Sequence, residues 1–193
     1  TPRSRELTGF GLSYCATCDG PFYRNKTVAV VGGGNTAVTE AIFLTRFAKS
    51  IFLVHRRDHL TAEAVLIDEL KKTGKVETVF ESVVTDLVGE KKVSGVKVRN
   101  VRTNEERTLP VDGVFVFIGR IPSTDFLKGF VDLDERGFID VRRHVFTNRP
   151  GVFAAGDCNA GSPGQVTTAA GDGALAAFAV RDYLAERKRE HRG

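Results

Sequence analysis

Cys15 and Cys18 bracket two residues in "YCATCDGPFY" (14–23), and Asp19 follows the second directly. At this C-x-x-C spacing two sulfurs close a small ring, which suits a disulfide that is made and broken repeatedly. Only a thiolate attacks a disulfide, so such a pair needs a group to handle its protons. Asp19 is placed to act as that acid or base. Half a zinc site and an inert buried pair are the competing readings. Zinc needs two more ligands, and the chain offers only Cys158 and four scattered histidines, with no second C-x-x-C. Redox chemistry is the better reading, with no metal.

The second chemical segment starts eight residues later. "KTVAVVGGGNTAVTEA" (26–41) carries G-x-G-x-x-A through Gly32, Gly34 and Ala37, with Gly33, Asn35 and Thr36 between them. Gly32 permits a tight turn, Gly34 lets backbone approach a pyrophosphate, and Ala37 lets the following helix pack on its strand. The N-terminal N–H groups of that helix are then offered to the phosphates. About 20 residues beyond such glycines a carboxylate usually bonds the ribose of NAD. Here "VHRRDH" places His55, Arg56 and Arg57 instead. Two guanidiniums suit a 2′-phosphate, so NADP is favoured over NAD. Asp58 is expected to point away or to steady an arginine. A turn without ligand and a solvated basic corner remain the plain alternatives. A hydride donor and a disulfide exchange electrons poorly, so a flavin between them is implied.

The elements that must position these groups follow from hydrophobic periodicity. Thr27–Val31 and Ile51–Val54 read as buried parallel strands. Thr36–Ala48 and Ala62–Lys72 read as helices, the second ended by Gly74. This βαβα order predicts an α/β nucleotide fold. From Val76 the texture alternates, which predicts an antiparallel meander through "VSGVKVRNV" (93–101), a polar link at 102–107, and a buried strand at Val114–Ile118. "GRIPST" (119–124) is a Gly/Pro break, so domains of residues 1–120 and 121–193 are expected. A short strand near Phe138–Val141, a buried strand at 151–157 and a last helix from about Thr168 complete the pattern.

Composition adds exclusions. At 193 residues, 41% apolar and 27% charged, the chain has the make-up of a globular protein. No apolar run approaches the roughly 20 residues that span a bilayer, and the start shows no signal-peptide pattern. With only three cysteines a cytoplasmic location is expected. The net charge of +4 owes much to the tail at 185–193, which reads as a solvated helix end and not as a nucleic-acid surface. The chain contains no Met, even at position 1, which suggests a processed or excised piece.

The whole chain resembles the low-molecular-weight, bacterial-type thioredoxin reductases of the pyridine nucleotide-disulfide oxidoreductase family. The carrying segments are "CATCDG" (15–20), "GGGNTAVTEA" (32–41), "HRRD" (55–58), "VFIGRIPST" (116–124), "GVFAAGDC" (151–158) and "TAAGDGALAA" (168–177). The resemblance implies a Rossmann-like three-layer NADPH domain with a meander, followed by a partial FAD-binding domain. It implies that electrons pass from NADPH through FAD to a Cys15–Cys18 disulfide and on to thioredoxin. Cys18 would face the flavin, Cys15 would meet thioredoxin and Asp19 would handle protons. Ile118, Gly156, Asp157, Gln165 and Val166 would contribute to cofactor binding, Asp157 at the ribityl chain and Gln165 and Val166 beside the isoalloxazine. Family members are homodimers whose NADPH domain swings between two orientations.

Three departures accompany the resemblance. The family's first glycine turn, which holds the FAD pyrophosphate, is absent, so the piece alone is expected to bind FAD poorly and not to turn over, and it could be monomeric. Thr61 stands where another arginine often completes the 2′-phosphate clamp. Gly164 and Val166 stand where Arg and Ala usually flank Gln165. Two other readings stay open: a related flavin-dependent disulfide reductase with another donor or client, and a non-catalytic NADP(H)-binding fragment.

Overall fold

Short runs rich in β-branched residues favour extended backbone, and four of them pair side by side with a fifth, two-residue strand at one edge. The structure, a computed structural model, describes residues 3–191. In chain order the first elements are α1 (Ser4–Leu7), β1 (Leu12–Ser13), α2 (Ala16–Asp19), β2 (Thr27–Val31), α3 (Asn35–Leu44), β3 (Ser50–Val54) and α4 (Ala64–Lys72). There follow β4 (Val76–Val79), β5 (Ser82–Val88), β6 (Gly95–Asn100), β7 (Glu106–Leu109), β8 (Gly113–Val116) and the long α5 (Val166–Glu190). The chain divides into two compact units, Thr1–Gly119 and Arg120–Gly193.

In the first unit β1-β8-β2-β3-β4 form one sheet whose neighbours are all parallel. Strand side chains alternate between faces, and here each face has its own core. Val28, Val30, Ile51, Leu53 and Phe115 face α3 and α4, packing on Ala37, Val38, Ala41 and Leu44. Ala29, Val54 and Val114 face the other way, onto Leu87, Val96, Val98 and Leu109 of the antiparallel sheet β5-β6-β7. The result is three layers: helices, parallel sheet and meander. Each fully buried aliphatic side chain contributes roughly 1.5–3 kcal/mol.

Several expectations are corrected. Val76–Val79 is not the start of the meander but the parallel edge strand β4, paired with β3 from Ile51↔Val76 to Val54↔Val79. The meander begins at Ser82, after Glu81 turns the chain at φ 50°. β7 takes up part of the expected polar link, because Asn100 Oδ1 accepts from the N–H groups of Arg102 and Thr103 and confines the turn to a few residues. α3 stops at Leu44, where the Thr45 hydroxyl donates to the Ile42 carbonyl. β8 ends at Val116, leaving Ile118 exposed.

The second unit is less regular. The strands expected at 138–141 and 151–157 are only isolated bridges, Ile139 to Leu133 and Asn159, and Phe146 to Phe153. Val131, Ile139 and Ala154 form its small buried cluster, and Asn159 Nδ2 donates to the carbonyls of Ala154 and His144. α5 starts at Val166, two residues before the expected Thr168, and its buried residue is Ala179. Among the described residues no helix is long and apolar enough to cross a membrane.

Candidate functional site

Parallel pairing sends every strand's C-terminal end to one edge of the sheet, the edge where α/β folds bind ligands. Val30 is level with both Leu53 and Phe115, and Phe115 is level with Ser13. The pairing runs past the strand ends, since Gly32 N–H donates to Val54 O, Phe117 N–H to Val31 O and His55 N–H to Val79 O. The C-x-x-C after β1, the glycine turn after β2 and the HRR segment after β3 are therefore brought to one edge. With strands ~4.8 Å apart, the columns carrying Ser13 and Gly32 stand about 10 Å from each other.

Cys15 and Cys18 form a disulfide, with their Cα atoms 5.3 Å apart. Cys15 caps α2, and its Sγ accepts from the Cys18 N–H at 3.1 Å. Cys18 is exposed and Cys15 partly so. Ser13, which sequence reasoning missed, is buried on β1, where its hydroxyl accepts from Cys15 N–H at 3.1 Å and donates to Cys15 O. It fixes the backbone on which the disulfide sits. Asp19 is half-buried, and its charge, after burial and together with Asp112, raises the Tyr23 pKa. Among the described residues no cluster of His, Cys, Asp and Glu could hold a metal ion.

The three glycines of the turn answer to different constraints. A Cβ on Gly32, at φ 143°, would lie 2.4 Å from Phe117 O, and one on Gly33 would lie 2.3 Å from the His55 ring. Both are required by the protein's own packing. A Cβ on Gly34 would meet nothing closer than Thr61 Oγ1 at 3.9 Å. Gly34 is thus the open side of the turn, and among the described residues no side chain caps α3 at its N-terminus. That open turn beside uncapped N–H groups fits a pyrophosphate. Ala37 is fully buried against the sheet, while Asn35 and Thr36 are exposed.

The end of β3 is basic. Arg56 and Arg57 are exposed, and among the described residues neither forms an ion pair. Asp58 does not steady either arginine: it bonds His59 Nδ1 at 2.6 Å, which lowers its pKa. His55 is not on the surface with them. It is 8% exposed under Gly33, and burial first, then Arg57 and Arg56, lower its pKa, which favours the uncharged imidazole. It braces the turn from beneath. Thr61 donates its backbone N–H to Gly33 O at 2.8 Å.

In the second unit, Gly156 is buried at φ 90°, and its N–H donates to Asp172 Oδ2 of α5 at 3.2 Å. Asp157 exposes 58% of its side chain, with Arg120 Nη1 3.9 Å from its carboxylate. Gln165 occupies the extended N-cap position of α5, and Val166 is 87% exposed at its first turn. An exposed carboxylate beside a helix N-terminus fits one end of a flavin cofactor. Arg120 is a second residue that sequence reasoning missed. Its guanidinium bonds Ser162 O and lies where a side chain at Gly164 would go, 2.2 Å from a Cβ there.

Comparison with known proteins agrees with this geometry. Thioredoxin reductase of Listeria monocytogenes is 45% identical over 187 residues, a match covering 95% of this chain and 58% of that protein. Thioredoxin reductase of Mycolicibacterium smegmatis is 43% identical over 186 residues, covering 96% and 60%. The crystal structure of thioredoxin reductase from Streptococcus pyogenes superposes with a TM-score of 0.88 at 42% identity, covering 95% of this chain and 60% of that one. The chain thus spans somewhat more than half the length of these relatives. The family described as pyridine nucleotide-disulphide oxidoreductase matches residues 1–173, and with its disulfide and its glycine turn on one sheet edge the chain belongs to that family.

Proposed function

We propose that this chain is the NADPH-binding, disulfide-bearing part of a thioredoxin reductase together with part of its FAD site. The observation that carries this reading is the Cys15–Cys18 disulfide, seated one strand-end away from β8 and two from the glycine turn on the same sheet edge. Residues 1–120 would bind NADPH, the α3 N-terminus and Gly34 holding the pyrophosphate and Arg56 and Arg57 the 2′-phosphate. Residues 121–193 would contribute to a flavin site, with Asp157 on ribityl hydroxyls, Gln165 and Val166 beside the ring, and Gly156 at the turn that precedes Asp157.

Bound FAD would supply the two-electron relay that a hydride donor and a disulfide need between them. The chain's own residues do the rest. When the disulfide opens, the Cys18 N–H that now reaches Cys15 Sγ stabilises a Cys15 thiolate. Asp19 takes or returns the accompanying proton. The Cys15 thiolate attacks the disulfide of oxidised thioredoxin and releases one thioredoxin thiolate, forming a mixed disulfide. Cys18, deprotonated, then attacks Cys15 Sγ, restores the internal disulfide and releases the thioredoxin dithiol. A cytoplasmic homodimer is the setting that this reading favours.

The test uses the chain as it stands. Calorimetric titration should show NADPH binding at least ~10-fold tighter than NADH, about 1.4 kcal/mol. Reduced thioredoxin should open the Cys15–Cys18 disulfide by exchange, without flavin, and the free Cys15 thiol of Cys18→Ser should attack oxidised thioredoxin and accumulate the mixed disulfide. Equal affinity for the two nucleotides together with no exchange would sink the proposal. NADPH preference without exchange would instead favour a reductase with another client.

A further inference from the structure

We infer that Thr61 and Glu63 are positioning residues that strap the arginine-bearing loop to the dinucleotide turn and so set selectivity for a 2′-phosphorylated nucleotide. The inference rests on the NADPH reading above and concerns residues which that reading leaves without a role.

The loop from His55 to Glu63 leaves β3 carrying Arg56 and Arg57 and returns to the turn it started beside. Two tethers close it. Thr61 gives both its backbone N–H, at 2.8 Å, and its hydroxyl, at 3.2 Å, to the single carbonyl of Gly33. Asn35 and Glu63 then exchange a pair of bonds: Asn35 Nδ2 donates to Glu63 Oε1 at 2.8 Å, and Glu63 N–H donates to Asn35 Oδ1 at 2.8 Å. The reciprocal pair fixes the Asn35 amide, which is thereby committed to the strap and not to a phosphate. At the other end of the loop the His55 ring is wedged beneath Gly33.

An exposed guanidinium is a mobile donor, and it discriminates between ligands only if its backbone is held. Arg56 and Arg57 have no ion-pair partner among the described residues, so the strap is what restricts where they can reach. Sign separates this role from simple charge. Glu63 is an acid beside a basic phosphate site, and as a bare charge it would repel the nucleotide, so that its removal would tighten binding. As one half of the strap, its removal loosens binding.

The test measures NADPH and NADH affinity by calorimetry for the 193-residue chain and its variants. Glu63→Ala is expected to weaken NADPH about 10-fold, roughly 1.4 kcal/mol, and NADH less than about threefold. Glu63→Gln keeps the acceptor for Asn35 Nδ2 and removes the charge, so it should bind NADPH as tightly as the wild type or tighter. Thr61→Val should weaken NADPH in the same selective way by a smaller factor. In an Arg56→Ala/Arg57→Ala background, Glu63→Ala should change NADPH affinity by less than about twofold, because the strap acts through the arginines. The inference is overturned if Glu63→Ala tightens NADPH, leaves it unchanged, or weakens both nucleotides alike. It is also overturned if the tenfold loss persists without the arginines. A wild-type chain that binds no NADPH would overturn the functional reading and this inference together, whereas a binding wild type with an indifferent Glu63→Ala would overturn this inference alone.

Discussion

His55 Nε2 is buried without a hydrogen-bond partner among the described residues, and that position makes the imidazole expensive to protonate. Its pKa lies below the usual 6.5, chiefly through burial and then through Arg57 and Arg56. The unfolded chain therefore binds a proton that the folded chain refuses. The stability tied to this residue is intact above pH 6.5 and falls as pH drops toward the lowered folded pKa, by at most ~1.4 kcal/mol per pH unit. Melts between pH 7.5 and 5.5 should show this loss, and His55→Asn should flatten it. A slope unchanged by the substitution would assign the effect elsewhere. The sulfurs give a second expectation. Cys158 is the free cysteine and Cys15 and Cys18 are paired, so unfolded oxidised chain should titrate one thiol and mildly reduced chain three.

At the scale of elements, the glycine turn separates folding from binding. Gly33→Ala drives a methyl into the His55 ring and should cost about 1–3 kcal/mol of stability, as overpacking does. Gly34→Ala meets open space beside Thr61, and Gly34 lies at φ −87°, so the fold should keep its melting temperature within a degree or two. The added methyl stands where a pyrophosphate approaches, so NADPH affinity should nevertheless fall by ~10-fold or more. Thermal melts and calorimetry on the pair test this; a Gly34→Ala chain that binds normally would move the phosphate elsewhere. The elements themselves were legible where the sequence carried one signal. Thr27–Val31 is an unbroken apolar run flanked by turn residues, and it is β2 as expected. Val76–Val79 misled because its alternation suits a half-buried edge strand in either kind of sheet. Periodicity reports which face is buried and is silent about the direction of the neighbouring strand.

At the scale of the whole molecule the two units differ in how much they bury. The first has two clusters of fully buried aliphatics on the two faces of its sheet. The second has one small cluster, and α5 exposes Leu175, Phe178 and Leu184 at 47%, 58% and 52%. Calorimetric melting should show two transitions, the second unit losing structure at the lower temperature. NADPH at a hundred times its Kd should stabilise the upper transition by about 2.7 kcal/mol and leave the lower one in place. A single transition that moves as a whole would mean that the units unfold cooperatively.

The chemistry is legible in the order of residues alone: a C-x-x-C-D, a G-x-G-x-x-A and an H-R-R segment. Each is local, spelled out within a few residues, and each is read from the reactivity of its side chains. Tertiary structure decided how those segments are held. Gly33 and Thr61 are 28 residues apart in the chain and share two hydrogen bonds; so are Asn35 and Glu63. Ser13 stands under the disulfide because β1 pairs with β8, and His55 stands under the turn because β3 pairs with β2. No periodicity encodes such contacts, since they arise only when parallel pairing brings distant strand ends to one edge.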